Sequence, residues 1–330
     1  MTKLADFDYH LPPELIAQFP LTRRDQARLL VVERSTGCIR HRIFKDIVEY
    51  FRKGDLLVTN DTKVVPCRLI GRRPTGGKVE VFLLRHKQGG RFGAMISPGR
   101  VKTGEKIVFP GSRLSCVRTD REEVEFNTKS QDRIYRAGRV PLPPYIKRRP
   151  RKLDAVYYQT VYAREKGSVA SPTAGLHFTR PLLSRIRKTG VRISPVTLHV
   201  GLATFKPVTV DEIEEHPMGK EYFTVPAKTV GQIKTARAGG GRIICTGTTS
   251  CRALESYAGG ITQGWTNLFM YPGYQFRLVD CLLTNFHLPR TTLFMLVCAF
   301  AGTALAKKAY AAAIEEKYRF YSYGDAMLII

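Results

Sequence analysis

Residues 281–302 read CLLTNFHLPRTTLFMLVCAFAG. The run is apolar at both ends, and Asn285, His287, Pro289 and Arg290 interrupt its middle. LLTNF reads as a buried strand, and Pro289 enforces a turn because it lacks a backbone donor and fixes φ. TTLFMLVCAFAG then reads as a core helix. The apolar part of that helix, residues 293–302, is about half the roughly 20 residues a membrane helix needs, so no membrane span is expected. Asn285 and His287 fall at the carboxyl end of the strand. In open α/β sheets, ligands sit beyond that end.

The same texture extends outward. GRIICTG, residues 241–247, reads as a buried strand running directly into the helix TTSCRALESYA. RPLLSRIRKTG, 180–190, has the spacing of an amphipathic helix stopped by Gly190, and VRISPVTLHV follows as a strand. TALAKKAYAAAIEEKYRF is a further helix. Near the amino end, LPPELIAQF has Pro at an early helical position, RLLVVER reads as a strand and DLLVTN, 55–60, as another. Between them IFKDIVEYFRKGD carries Ile43, Phe44, Ile47, Val48 and Phe51 at helical spacing, with Gly54 as the stop. Strands alternating with helices imply a sheet covered by helices.

From about residue 63 the pattern changes. KVVPCRLIGR, GGKVEVFLLR, GRFGAMIS, EKIVFPG, RLSCVRT and EEVEFN are short, β-rich and separated by Gly, Pro or charge, as in an antiparallel barrel or sandwich. The expected organisation is an α/β domain, residues 1–62 and 151–330, interrupted by an inserted β domain, 63–150.

The 330 residues carry 53 Lys and Arg against 28 Asp and Glu, a formal charge of +25. That excess attracts polyanions, nucleic acid foremost. A basic cluster, Lys147, Arg148, Arg149, Arg151 and Lys152, lies at the boundary after the β domain. It reads as a phosphate-backbone contact, which positions a nucleic acid without reading bases, or else as a solvated face. The seven cysteines are odd in number and contain no C-x-x-C pair. That excludes a disulfide framework or thiolate zinc site and suits a reducing compartment. The first residues, MTKLADFDYHLPPELI, are acidic where a signal peptide is apolar, so a cytoplasmic location is expected.

Four of the seven histidines, His177, His199, His216 and His287, lie in SPTAGLHFT, TLHVGLATF, EEHPMGKEYF and LLTNFHLPRTT. Each stretch is dense in Gly, Pro, Thr or Asn. One such His is more often structural, but four point to a shared site for proton exchange near neutral pH. No spacing matches a metal motif, so no metal is expected. CTGTTSCRALE, 245–255, is a strand, a Gly turn and a helix start. Thr249 or Ser250 is expected to cap that helix, and its amino end can hold an anion. No G-x-G-x-x-G follows a strand. GGG at 239–241 precedes one, which disfavours an ordinary methyltransferase fold.

Taken in order along the chain, FDYHLPPELIAQFP, RRDQARLLVVER, GDLLVTNDTKVVPCRL, GGKVEVFLL, VPLPPYIKR, YYQTVYA, ASPTAGLHFT, VTLHVGLATFKPV, TGTTSCRALES, YPGYQF, LLTNFHLPRTTLFML and YRFYSYGDAMLI resemble the S-adenosylmethionine:tRNA ribosyltransferase-isomerase family of queuosine biosynthesis. The resemblance runs nearly end to end. It implies an α/β domain with an inserted antiparallel β-barrel. It also implies transfer and isomerisation of the ribosyl part of S-adenosylmethionine onto a 7-aminomethyl-7-deazaguanine at the tRNA wobble position. The product is epoxyqueuosine-tRNA, with adenine and methionine released. The implied partners are the anticodon arm of tRNA and S-adenosylmethionine, which is consumed as a substrate, so no cofactor is expected. A monomer is implied.

Residue chemistry assigns His177, His199, His216, Glu221 and His287 to proton transfer, and Asp280 and Asn285 to sugar hydroxyls. Thr248, Thr249 and the helix from Ser250 are placed at the methionine carboxylate, with Arg252 nearby. Thr173, Gly175, Thr204 and Gly247 complete the expected binding residues. The chain departs from the family pattern at Gly219, where an imidazole is usual, at Ala203 for a glycine, and at Ser171 for an alanine. Gly219 and Ala203 motivate a second reading, a non-catalytic tRNA-binding relative. A third, an RNA methyltransferase, would release S-adenosylhomocysteine.

Overall fold

In the computed structural model, residues 2–201 and 208–330 are described. The strands are β1 Arg28–Val32, β2 Ile39–Ile43, β3 Leu56–Asn60, β4 Thr62–Val64, β5 Arg68–Arg72, β6 Lys78–His86, β7 Arg91–Ser97, β8 Lys106–Val108, β9 Ser115–Asp120, β10 Glu123–Phe126, β11 Glu165–Ser168, β12 Arg192–Leu198, β13 Glu221–Thr224, β14 Ile243–Thr246, β15 Gln263–Thr266, β16 Cys281–Asn285 and β17 Ala326–Ile329. The helices are α1 Gln131–Arg136, α2 Asp154–Tyr157, α3 Arg180–Lys188, α4 Ala227–Ala238, α5 Gly247–Tyr257, α6 Thr292–Ala301 and α7 Thr303–Glu315.

Two architectures result. Strands β10-β7-β6-β5-β8-β9 close into a six-stranded antiparallel barrel. The alternation in β6 puts Val79, Val81 and Leu83 inside with Leu69, Phe92, Ile107 and Val124, the period-2 pattern of a sheet with one wet face. The larger sheet has nine strands in the order β15-β13-β12-β3-β14-β16-β17-β1-β2. Its centre, β12-β3-β14-β16, is parallel, while β17 runs antiparallel to β16. Successive residues in the central strands serve opposite faces. Leu56, Val58 and Leu282 join one core with Ile233, Leu254, Phe294 and Tyr310 of α4–α7. Leu57, Ile244 and Leu283 join the other with Phe44 and Leu182. Burial on both faces is why these strands read as continuous apolar runs.

Pro195 sits inside β12 without breaking the sheet. Its stretch pairs with β3 on one side, and β13 reaches only Thr197 and Leu198 on the other, so its missing donor costs no ladder bond. One expectation is corrected. Residues 43–54 do not form an α-helix; they hold a 3-10 helix, Phe44–Tyr50, that ends well before Gly54. Phe44 and Ile47, three apart, are its buried pair, which matches three residues per turn. No single helix among the described residues is long and apolar enough to cross a membrane; α6 and α7 bend by 114° at their junction.

The parallel centre aligns the carboxyl ends of β12, β3, β14 and β16 at one end of the sheet, and the loops that leave these ends converge there.

Candidate active site

A cavity of about 310 Å³ lies beyond this edge. Val200 follows β12, Gly247, Thr248 and Thr249 follow β14, and Thr284, Asn285 and His287 come from the end of β16. Ser171 and Thr173 supply one wall, and Tyr145, Tyr158, Tyr321 and Ser322 another. Tyr145 and Tyr321 pack with ring centroids 3.8 Å apart.

Asn285 is the best-determined side chain here. Its amide nitrogen reaches the carbonyls of Tyr321 and Asp325, both at 3.2 Å. Two carbonyl acceptors fix which end of the amide is NH2. Nδ2 also lies 3.2 Å from His177 Nε2. The opposite atom, Oδ1, is buried and has no partner among the described residues; so are Ser171 Oγ and Thr249 Oγ1. These residues expose 1%, 6% and 9% of their surface. A buried polar atom left unpaired costs about 1–3 kcal/mol, and three on the walls of one cavity mark where a polar ligand is received.

His287 also lines the cavity. Its backbone N–H donates to Tyr310 Oη at 3.0 Å, and its carbonyl accepts from Tyr9 Oη. The main chain therefore holds the residue, and Thr284 Oγ1 at 2.8 Å from Nε2 orients the ring. His177 is placed differently from the expectation. It is packed against Phe44 at 4.9 Å and is hydrogen-bonded to the Arg24 backbone, behind Asn285 rather than on the cavity wall. His199 contacts Thr62 Oγ1 through Nδ1 at 2.7 Å, on the side of its strand away from Val200. Gly167 lies so near that an added Cβ would sit 3.1 Å from the ring.

His216 and Glu221 line a second cavity with Arg252 and Gly219. Leu293 lines both cavities, and the Gly201 N–H, next to Val200, donates to Glu221 Oε1 at 3.0 Å. The two hollows are thus neighbours at the amino end of α6. The four imidazoles do not share one cavity. His287 lines the first, His177 supports it through Asn285, His216 lines the second and His199 lies apart.

Other expectations are corrected too. Asp280 binds no cavity; it precedes β16, at the opposite end of the sheet, and accepts from Ile243 N at 2.7 Å and Arg237 at 3.0 Å. Neither Thr249 nor Ser250 caps α5, because the helix starts at Gly247 with φ +87. Ser250 Oγ instead bonds the Thr246 carbonyl at 2.7 Å. Gly175 is structural: an added Cβ would lie 2.0 Å from Tyr162 Oη. Thr204 and Ala203 lie outside the described residues. Arg148 is no free cation. It makes two 2.7 Å bonds to Asp154, while Lys147, Arg149, Arg151 and Lys152 are exposed. Ser171, Tyr145, Tyr158, Tyr321 and Ser322 were not singled out from sequence as site residues, although Ser171 stands two residues before Thr173.

Burial pushes the pKa of His177 and of His287 down to about 3. Burial also lowers His199, against the opposing Glu165, and His216. An unfolded His titrates near 6.5, so below that pH the unfolded chain binds more protons and stability falls with pH. The loss runs from pH about 6.5 towards 3, by at most about 1.4 kcal/mol per pH unit for each fully neutral His. Asp61 and Asp325, raised by burial, act in the opposite sense nearer the carboxylate range. Urea midpoints should therefore be lower at pH 5.5 than at pH 7.5; equal midpoints would contradict neutral burial.

Residues 4–329 match the model of a family described as queuosine biosynthesis protein. The chain is 49% identical over 335 residues to an S-adenosylmethionine:tRNA ribosyltransferase-isomerase of Sulfurihydrogenibium sp., covering 99% of this chain and 100% of that one. It is 48% identical over 338 residues to the protein of that name from Thermotoga maritima, with the same coverage. A crystal structure of S-adenosylmethionine tRNA ribosyltransferase from Thermotoga maritima superposes with a TM-score of 0.58 and 38% sequence identity, covering 98% of this chain and 100% of that one.

Proposed function

The chain belongs to the queuosine biosynthesis protein family, and from that premise we propose that the main cavity seats the nucleoside of S-adenosylmethionine while a tRNA anticodon arm lies across its mouth. The chain is a ribosyltransferase-isomerase: it moves the ribosyl part of S-adenosylmethionine onto the aminomethyl group of a 7-deazaguanine at the tRNA wobble position and rearranges it, giving epoxyqueuosine-tRNA with release of adenine and methionine.

The observation that carries the placement is the set of three unpartnered buried atoms, Ser171 Oγ, Thr249 Oγ1 and Asn285 Oδ1, at the carboxyl edge of the parallel strands. Sugar hydroxyls and base nitrogens are the complement of such atoms. A thioether leaves a sulfonium as a neutral group and needs no proton. The attacking amine and the sugar must lose protons, and departing adenine gains from a hydrogen-bond donor. His287 is the imidazole on the cavity wall. It rests neutral, so it takes a proton only as the reaction proceeds. Asn285 positions the sugar, with His177 and two carbonyls fixing its orientation. S-adenosylmethionine is consumed as a substrate, and the reading needs no cofactor or second copy of the chain.

The test is release of adenine from S-adenosylmethionine. Release dependent on tRNA carrying the 7-deazaguanine precursor supports the reading. Its absence, or release of S-adenosylhomocysteine, overturns it.

The mouth of the cavity leads to the basic cluster. Pro144 and Tyr145 line the cavity, and the exposed Lys147, Arg149, Arg151 and Lys152 follow. Phe19, 45% exposed, carries Arg151 4.7 Å from its ring centroid. Substituting these four cations by Gln is expected to weaken tRNA binding and flatten the slope of log K against log salt. The change should be roughly 0.7–0.9 for each phosphate that is no longer neutralised. An unchanged slope in a filter-binding titration removes the cluster from the tRNA surface.

A further inference from the structure

The main cavity, at about 310 Å³, is at the small end of ligand pockets. It has room for a nucleoside but leaves the amino-acid arm of S-adenosylmethionine to be housed elsewhere. The second cavity adjoins it at Leu293. At its base Arg252 and Glu221 form an ion pair, with side chains 7% and 2% exposed. Arg252 Nε donates to the Leu268 carbonyl at 3.2 Å, and Nη1 donates to Glu221 Oε2. Those two bonds fix the guanidinium plane. The remaining nitrogen, Nη2, is buried and has no partner among the described residues. The rest of the lining includes Met218, Phe269 and Met270.

Removing two charges from water is costly, and an apolar pair of similar volume often serves stability as well. A buried guanidinium with an unused donor, beside a carboxylate and under thioether and aromatic side chains, has the chemistry of a receptor for a zwitterion on an apolar stem. A guanidinium nitrogen receives a carboxylate strongly, a carboxylate receives an ammonium, and polarisable sulfur and ring edges accommodate a thioether arm.

Building on the proposed function, we infer that the second cavity seats the amino-acid half of S-adenosylmethionine, with Arg252 Nη2 at the α-carboxylate and Glu221 at the α-ammonium. The sulfonium then lies near Leu293, where the cavities meet, with the nucleoside on the Asn285 side. Arg252 and Glu221 are binding residues in this assignment and exchange no proton with the sugar. The first turn of α5, whose Thr248 and Thr249 face the main cavity, is left to the nucleoside.

The test compares S-adenosylmethionine with its decarboxylated analogue, which keeps the sulfonium and ammonium but lacks the carboxylate. Calorimetry on the full chain without tRNA reads both affinities. The wild type should favour S-adenosylmethionine by at least tenfold. In Arg252→Gln that preference should vanish, and in turnover assays with precursor tRNA the KM for S-adenosylmethionine should rise at least tenfold, with kcat changing only a few-fold. Met218→Trp, at a half-exposed position, fills the cavity without touching the buried pair and should raise KM similarly; it decides the matter if Arg252→Gln does not fold. Equal affinity of the wild type for both compounds, or an unchanged KM in the folded variants, overturns the inference. Adenine release by a wild type that ignores the carboxylate defeats the inference alone. A wild type that releases no adenine defeats the proposed function and this inference with it.

Discussion

His287→Ala is expected to slow adenine release under single-turnover conditions by about 10²–10⁴-fold, the span of a lost general acid–base group, while the protein stays folded. The main chain of residue 287 makes the bonds to Tyr310 and Tyr9, and truncation to Ala leaves both in place. The side chain gives up only its bond with Thr284 and its place on the cavity wall. tRNA affinity should be unaffected, because the tRNA-facing cations lie on another segment. His199→Ala should leave the rate within a few-fold, since that ring contacts Thr62 away from the cavity. A His287→Ala enzyme with a near-normal rate removes the imidazole from the chemistry.

Arg148→Ala should destabilise the α/β domain by about 3–5 kcal/mol, because it leaves a buried charge without its partner. Asp154 is 1% exposed. It receives two bonds from Arg148, one from the Arg151 N–H and one from Tyr323 Oη. The guanidinium also lies 4.6 Å from the centroid of the Phe19 ring. By contrast, Lys147→Ala and Arg149→Ala remove solvated charges and should move a urea midpoint little. If Arg148→Ala is as stable as these neighbours, the clamp is unimportant and Arg148 is one more surface cation.

That contrast shows where sequence stops speaking. Residues 147–152 look uniform as a charge run, and only the fold reveals that one carboxylate six residues on claims one cation. Strands were legible wherever burial imposes a pattern: alternation in β6, where one face is wet, and unbroken apolarity in β3 and β16, where neither is. The 3-10 helix at Phe44–Tyr50 was not legible, because five apolar residues over nine positions fit several periods. In the site, Asn285, His287 and Thr249 were legible because each follows or ends a parallel strand. By the same logic Asp280 belongs at the far end, since a residue before a strand and a residue after it lie at opposite edges of the sheet. His177 behaves otherwise. It acts through Asn285, 108 residues away in the chain, a distance no local pattern spans.

The central claim is that the sulfonium nucleoside binds at the carboxyl edge of the parallel strands. A crystal structure of the wild type with S-adenosylmethionine, in the absence of tRNA so that nothing reacts, tests this directly. The ribose and adenine should lie between Ser171, Thr249, Asn285 and His287. A nucleoside bound at the Asp280 end of the sheet, or beside His199, would contradict the claim.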